Sequence, residues 1–272
     1  MTDRLSASQF ASIPEIGSDV AHAARVWNYW LGGKDNYEAD RIAGDAVTAS
    51  YPQIVDMAVK SRQFLVRAVR WLAAEAGVRQ YLDIGTGLPT MQNTHEVAQG
   101  VAPECRVVYV DNDPLVLAHA RALLKNTTPE GVTTYVNADY HDPEQIVDDA
   151  RNVLNYTLPL AVMFMGVLGF EADFDEVRSI VRRVMDPAPS GSYLVLWDAT
   201  DTSEGMRVGT EGYNANAPIA YNLRSPEQIA RCFEGLEMVE PGLVRLTEWR
   251  PDEDEPDAGD PVDAYCAVAR KP

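Results

Sequence analysis

A chain of 272 residues, 46% of them hydrophobic, can bury one sizeable core, and its formal charge of −18 disfavours nucleic acid, whose phosphates are bound by lysine and arginine. No run approaches the roughly 20 apolar residues that a membrane span needs, and the start Met1-Thr2-Asp3-Arg4-Leu5-Ser6 lacks a hydrophobic signal core. One cytoplasmic domain is expected, with neither nucleic acid nor membrane as partner; the oligomeric state stays open.

Residues 1–19 read as a flexible polar leader and 20–272 as the domain. Val20 to Leu31 has helical spacing and stops at Gly32-Gly33, where glycine takes the left-handed cap. Trp27 and Trp30, three apart, read as packing residues rather than a substrate cage. A second helix is expected from Asp35, with Glu38 three residues on as in a capping box. A third runs from Val55 to Ala76, with Ala58, Leu65, Val69, Leu72 and Ala76 along one face and Gly77 just past its end.

From Gln80 onward short apolar runs alternate with amphipathic segments, the pattern of a parallel sheet flanked by helices. Strands are expected at 80–84, 106–110, 133–137, 160–167 and 193–197. Asp113-Pro114 and Asp142-Pro143 each place a capping acid before a proline at the first helical position, and Asp173 stands three residues before Glu176. A last helix near Ser225 to Phe233 leads to strands near 243–249 and 263–269, an antiparallel hairpin joined through the acidic run Asp252 to Asp260. That run reads as a solvated loop. Cys105, Cys232 and Cys266 lack the spacing of metal or redox pairs and read as small buried hydrophobes.

The most informative stretch is Leu82-Asp83-Ile84-Gly85-Thr86-Gly87, followed by Val107-Val108-Tyr109-Val110-Asp111. A strand that breaks into Gly-x-Gly lets backbone approach a ligand closely, and a second strand ending in an acid supplies a carboxylate for a ribose diol. A nucleoside-type cofactor is therefore expected across the strand ends. A dinucleotide would want a third small residue, where Thr90 stands after Pro89, and would be repelled by Asp83. S-adenosylmethionine, with a sulfonium, an ammonium and no phosphate, suits the acid better. Asp113 is the better cap for the following helix, leaving Asp111 for the ligand. Asn137-Ala138-Asp139-Tyr140, after the next strand, adds a third signal, although Asp139 could also cap a turn before His141. Asn112 and Tyr140 flank these acids and could contact an adenine ring.

At these residues the chain resembles the class I S-adenosylmethionine-dependent methyltransferases. Their motif I looks like Asp83 to Gly87, their ribose acid like Asp111 and their adenine-side acid like Asp139. Arg25 to Tyr37, with Gly87-Leu88-Pro89-Thr90 and Asn93 to Gln99, narrows the resemblance to an actinobacterial methyltransferase family whose members mostly lack an assigned substrate; Pro89 departs from the general class I glycine. The resemblance implies an α/β, Rossmann-like methyltransferase fold: a mostly parallel seven-stranded sheet, a C-terminal antiparallel hairpin and added N-terminal helices. Residues 20–77 would form a helical lid, with Tyr29, Gly32, Gly33 and Asn36 as a flap over the cofactor. Lys34 reads as a surface lysine or a contact to the cofactor carboxylate. Met165 joins the cofactor set.

Methyl transfer from a sulfonium is an in-line displacement that needs a general base only where the acceptor must lose a proton early. Candidates near the strand tips are His141, Asp198, Tyr213 and Tyr221, none of them singled out by sequence, so the catalytic residues stay unknown. His95 reads as structural, and no nucleophile triad or metal cluster is seen. The expected function is methyl transfer to oxygen or nitrogen of a small-molecule acceptor. A non-catalytic cofactor-binding or regulatory protein, or an NAD(P)-linked oxidoreductase, are the alternatives.

Overall fold

The computed structural model describes residues 17–89, 92–123, 125–252 and 261–272. Thr90, the leader up to residue 16 and the acidic residues Glu253 to Asp260 lie outside the described residues. Helices α1 (Ala23–Trp30), α2 (Glu38–Ser50) and α3 (Ile54–Ala74) come first. Strands and helices then alternate: β1 (Gln80–Ile84), α4 (Thr94–Val101), β2 (Arg106–Asp111), α5 (Pro114–Leu123), β3 (Val132–Asn137), α6 (Pro143–Ala150), β4 (Ala161–Met165), α7 (Phe174–Met185) and β5 (Tyr193–Ala199). Two further helices, α8 (Glu204–Asn214) and α9 (Pro226–Arg231), precede β6 (Glu237–Met238), β7 (Val244–Arg245) and β8 (Ala264–Arg270).

The sheet order is β3-β2-β1-β4-β5-β8-β6, with β7 also paired to β8. The first five strands are parallel, and β8 runs antiparallel to β5, β6 and β7. The sheet is thus mostly parallel with an antiparallel end, as expected. It has eight strands rather than seven because the edge beside β8 is broken in two: Met238 pairs with Ala269, and Val244 with Cys266. The strand expected over 243–249 shrinks to two residues for a visible reason. Arg67 of α3, 4% exposed, donates to the carbonyls of Leu246 (2.6 Å) and Trp249 (2.9 Å), diverting them from the sheet.

Strand alternation divides the core between the sheet's two faces. Tyr81, Val107, Met163 and Val195 pack with Phe64, Leu65, Val69 and Leu72 of α3, whereas Leu82, Val108, Val162 and Leu194 pack with Ile146 of α6 and Ile180 and Val184 of α7. Helix starts follow the capping acids: Leu115 N donates to Asp113 (2.7 Å), Gln145 N to Asp142 (3.3 Å) and Asp175 N to Asp173 (2.9 Å). One expected cap is different. Helix α2 begins at Glu38, not Asp35, because Asp40 accepts from Tyr37 N at 2.8 Å, while Asp35 N turns back to Asn28 Oδ1 at 3.0 Å.

Helix α8, which the sequence did not announce, packs against α2 through Gly205, Gly209 and Gly212. A Cβ on Gly209 would lie 3.2 Å from Tyr51 Cβ and 3.3 Å from Val47 Cγ1, so the two helices meet almost backbone to backbone. Gly209→Val should therefore lower stability by about 1–3 kcal/mol, the usual cost of overpacking, measured by denaturant titration. An unchanged midpoint would contradict the packing.

Candidate functional site

The site begins where β1 turns. Gly85 (φ +72°) and Gly87 (φ +65°) take the left-handed conformation that side chains rarely adopt. A Cβ on Gly85 would lie 2.4 Å from the Val167 side chain, so the turns after β1 and β4 touch directly. The β1 turn is also tied to β2: Val110 O accepts from Gly85 N (2.8 Å) and Thr86 N (3.2 Å), and Asp111 Oδ2 accepts from Gly87 N (2.8 Å). Asp111 Oδ1 accepts from Asp113 N at 3.0 Å, so this acid braces the helix start as well as facing the cavity. Burial pushes its carboxyl above the usual range, despite those two bonds.

Asp83 is 3% exposed. Its Oδ2 accepts from the Thr94 hydroxyl at 2.7 Å, whereas Oδ1 is buried with no hydrogen-bond partner among the described residues. Burial pushes this carboxyl up to about 6, against the opposing pulls of Thr94 and Arg62. Arg62 of α3 lines the same cavity and donates to Gln92 O at 3.0 Å. The sequence reading missed it; an arginine set within the apolar stripe of a buried helix, between Ala58 and Leu65, was the available signal.

These groups open into a cavity of about 290 Å³ bounded by the tips of β1 to β5, by α1 and by α8. Of the residues expected at a cofactor, Asp83, Gly85, Thr86, Gly87, Asp111, Asn112, Asp139, Tyr140 and Met165 all line it. Tyr29, Gly33 and Asn36 are not in its wall. Tyr29 donates its hydroxyl to Asp45 at 2.7 Å, while Asn36 Nδ2 donates to Asn28 Oδ1 and to Gly33 O, each at 3.0 Å. A Cβ on Gly33 would lie 2.3 Å from the Asn28 amide. Gly33 and Asn36 therefore brace Asn28, which does reach the cavity. Lys34 is exposed and outside it.

Trp27 and Trp30 of α1 combine packing with cavity lining. Trp27 lies against Trp197 of β5 with ring centroids 5.6 Å apart and planes at 33°, and all three rings face the cavity with Phe170, Tyr213 and Tyr221. Helix α1 is held by Asp40, which is fully buried and accepts from His22 N and Tyr37 N, both at 2.8 Å, with Arg25 Nε at 3.6 Å. Among the four base candidates, His141, Tyr213 and Tyr221 line the cavity; Asp198 does not, and sits 2% exposed behind Tyr221. His95 is buried against Tyr109, its Nδ1 at 2.9 Å from the hydroxyl, consistent with a structural role. All three cysteines are free and buried. Among the described residues no group of three or more His, Cys, Asp or Glu is placed to hold a metal, and no helix is long and apolar enough to cross a membrane.

A family model described as S-adenosyl methyltransferase matches residues 10–272. Among solved structures, the chain is similar to a DUF574 family protein from Streptomyces avermitilis, at 45% identity and TM-score 0.89 over 94% of this chain and 100% of that chain. It is also similar to a protein from Thermobifida fusca described as a candidate methyltransferase, at 40% identity and TM-score 0.87 over 95% of this chain and 97% of that chain. The mitomycin 7-O-methyltransferase MmcR, 16% identical with TM-score 0.50 over 91% of this chain and 68% of that chain, shares the fold alone. No curated protein matches. The chain belongs to the S-adenosyl methyltransferase family. It is an S-adenosylmethionine-dependent methyltransferase, and the dinucleotide alternative falls.

One cavity histidine is clamped between two acids. His141 Nδ1 lies 2.6 Å from Asp139 and Nε2 2.8 Å from Glu171. Burial pulls its pKa down, but the bonds to Glu171 and Asp139 outweigh that and hold it above the ordinary 6.5. A raised value means that the imidazolium stabilises the fold fully below 6.5 and that this contribution is lost as pH rises through the folded-state value. The difference in thermal midpoint between the parent and His141→Ala should be largest on the acid side and shrink with rising pH; a pH-independent difference would show that the clamp is not ionic.

Proposed function

We propose that this methyltransferase seats S-adenosylmethionine across the carboxyl ends of β1, β2 and β3 and transfers its methyl to oxygen or nitrogen of a small-molecule acceptor. The observation that carries the seat is Asp83 Oδ1, a buried carboxylate oxygen beside a glycine turn that has no donor among the described residues. An ammonium group supplies the missing donor and charge. Gly85, Thr86 and Gly87 offer backbone at close range, and Arg62 faces Asp83 from the other wall with a charge suited to a carboxylate. Asp111 accepts from the ribose diol with the lone pairs left by Gly87 N and Asp113 N. Asn112, Asp139 and Tyr140 take the adenine, and Met165 closes the wall beside them. When bound, the cofactor supplies a methyl group on a sulfonium, which departs as a neutral thioether.

What remains for the protein is positioning and exclusion of water. In this reading residues 20–272 form one domain, 20–77 cover the cavity as a helical lid, and 1–19 precede it. Tyr29, Gly33 and Asn36 serve the lid from its outer side, the last two through Asn28. The net charge of −18 supports a small acceptor over a nucleic acid.

Titration calorimetry should show binding of S-adenosylmethionine and S-adenosylhomocysteine and none of NAD or NADP. Asp111→Ala should weaken S-adenosylhomocysteine by about ten- to a hundredfold, as expected for a bond to a charged group of about 1.5–3 kcal/mol. Unchanged affinity in the folded variant would remove the ribose role. Since Asp83 protonates at about 6 in the free protein, affinity for the cationic ligand should fall as pH drops through that value, and Asp83→Asn should abolish this dependence. A flat parent profile would detach Asp83 from the ammonium.

A further inference from the structure

Three residues at the β4 and β5 tips form an assembly that cofactor binding does not use. Asp198, 2% exposed, accepts from the Tyr221 hydroxyl and from Ala199 N (3.0 Å) at Oδ1, and from Arg224 Nη1 (3.2 Å) at Oδ2. Arg224, 3% exposed, is held in turn by the carbonyls of Leu168 (3.0 Å), Asn222 (3.3 Å) and Glu171. Of the three, Tyr221 alone lines the cavity. It is fixed on every side: its N donates to Asn214 Oδ1 (2.8 Å), its O accepts from Asn214 Nδ2 (3.0 Å), and its ring meets Phe170 edge-on at 4.9 Å. A Cβ on Gly169 would fall 2.1 Å from the Tyr221 ring, so the bare backbone there is what admits the ring.

We propose that Tyr221, backed by Asp198, takes the proton of the acceptor, and that the acceptor is a small uncharged aromatic hydroxyl compound methylated on oxygen. This rests on the reading of the cavity as the S-adenosylmethionine seat. Tyr221 lines the cavity and donates its own hydrogen to Asp198, while its oxygen accepts from Ala199 N at 3.4 Å and keeps one lone pair for an O–H donor. The acceptor's O–H breaks and its proton goes to Tyr221 Oη, while the Tyr221 proton goes to Asp198 Oδ1. The products are an oxyanion on the acceptor and a neutral acid at Asp198, with charge and protons conserved and Arg224 unchanged. Tyr221 is the catalytic residue of this step; Asp198 and Arg224 position it and receive its proton.

The surrounding wall selects the rest of the molecule. Trp27, Trp30, Phe170 and Trp197 give flat apolar faces for a ring. Among the described cavity residues, the groups able to carry positive charge are Arg62, His22 and His141; none packs on those rings, and an anionic acceptor would find no partner there. A neutral amine attacks with its existing lone pair and loses its proton afterwards, so it gains little from a base assembled in advance. An aromatic hydroxyl becomes a strong nucleophile only as its proton leaves.

The test uses 4-nitrophenol, whose phenolate is coloured, on the full chain loaded with S-adenosylhomocysteine. The bound probe should ionise about tenfold more readily in the parent than in Tyr221→Phe, in line with the leverage of a positioned base. Asp198→Asn should move in the same direction, with S-adenosylhomocysteine affinity unchanged in both variants. Failure of S-adenosylhomocysteine to bind the parent would remove the cofactor seat and this inference with it. Normal S-adenosylhomocysteine binding with no probe binding, or with equal probe ionisation in the parent and Tyr221→Phe, would overturn the proton relay alone.

Discussion

The floor of the site depends on one tie between neighbouring strands. A parallel sheet leaves its carboxyl ends as loose turns, and here the β1 turn is fastened to β2 by the Val110 carbonyl and the Asp111 carboxylate, which together take the amides of Gly85, Thr86 and Gly87. Both glycines sit in left-handed backbone, so the tie holds a shape that the chain would otherwise leave readily. Asp111 also accepts from Asp113 N, and Asp113 in turn starts α5. One carboxylate thus sets the relation of β1, β2 and the helix that follows, and burial of that carboxylate makes each bond matter more.

Cover and floor are built by the same device. Asp40, fully buried, gathers the amides of His22 and Tyr37 and the guanidinium of Arg25, and Arg25 reaches on to the carbonyls of Gly17 and Val20. His22 contacts Asp113 at 2.8 Å, which joins the start of α1 to the acid that caps α5. A protein of strongly negative charge thereby places acids where they hold backbone amides.

The floor was legible from residues because its geometry is local. Glycine in Asp83-Ile84-Gly85-Thr86-Gly87, an acid ending the next strand, and acid-proline helix starts each impose their structure within a few residues, and strands β1 to β5 follow the expected ranges closely. The cover was less legible. Tyr29 and Asn36 look alike in sequence to residues that face a ligand, yet which side of α1 meets the cavity depends on Asp40 and on packing against Trp197. Helix α8 went unseen because Glu204 to Asn214 carries three glycines, poor helix formers whose value appears only once α2 lies against them. Likewise the two-residue β7 reflects Arg67, which lies 179 residues from Leu246 in sequence and beside it in space.

Helix α8 presents two stripes one residue out of step. Gly205, Gly209 and Gly212 meet α2, while Met206, Thr210 and Tyr213 meet the cavity. The two stripes answer to different physical constraints. A carbon added to the first would press on Ser50, Tyr51, Val47 and Ala46, whereas the second joins the core through Met206 and Tyr213 and also forms cavity wall. Side-chain changes at positions 206 and 210 therefore reshape the cavity wall, while the glycines keep the contact between α2 and α8.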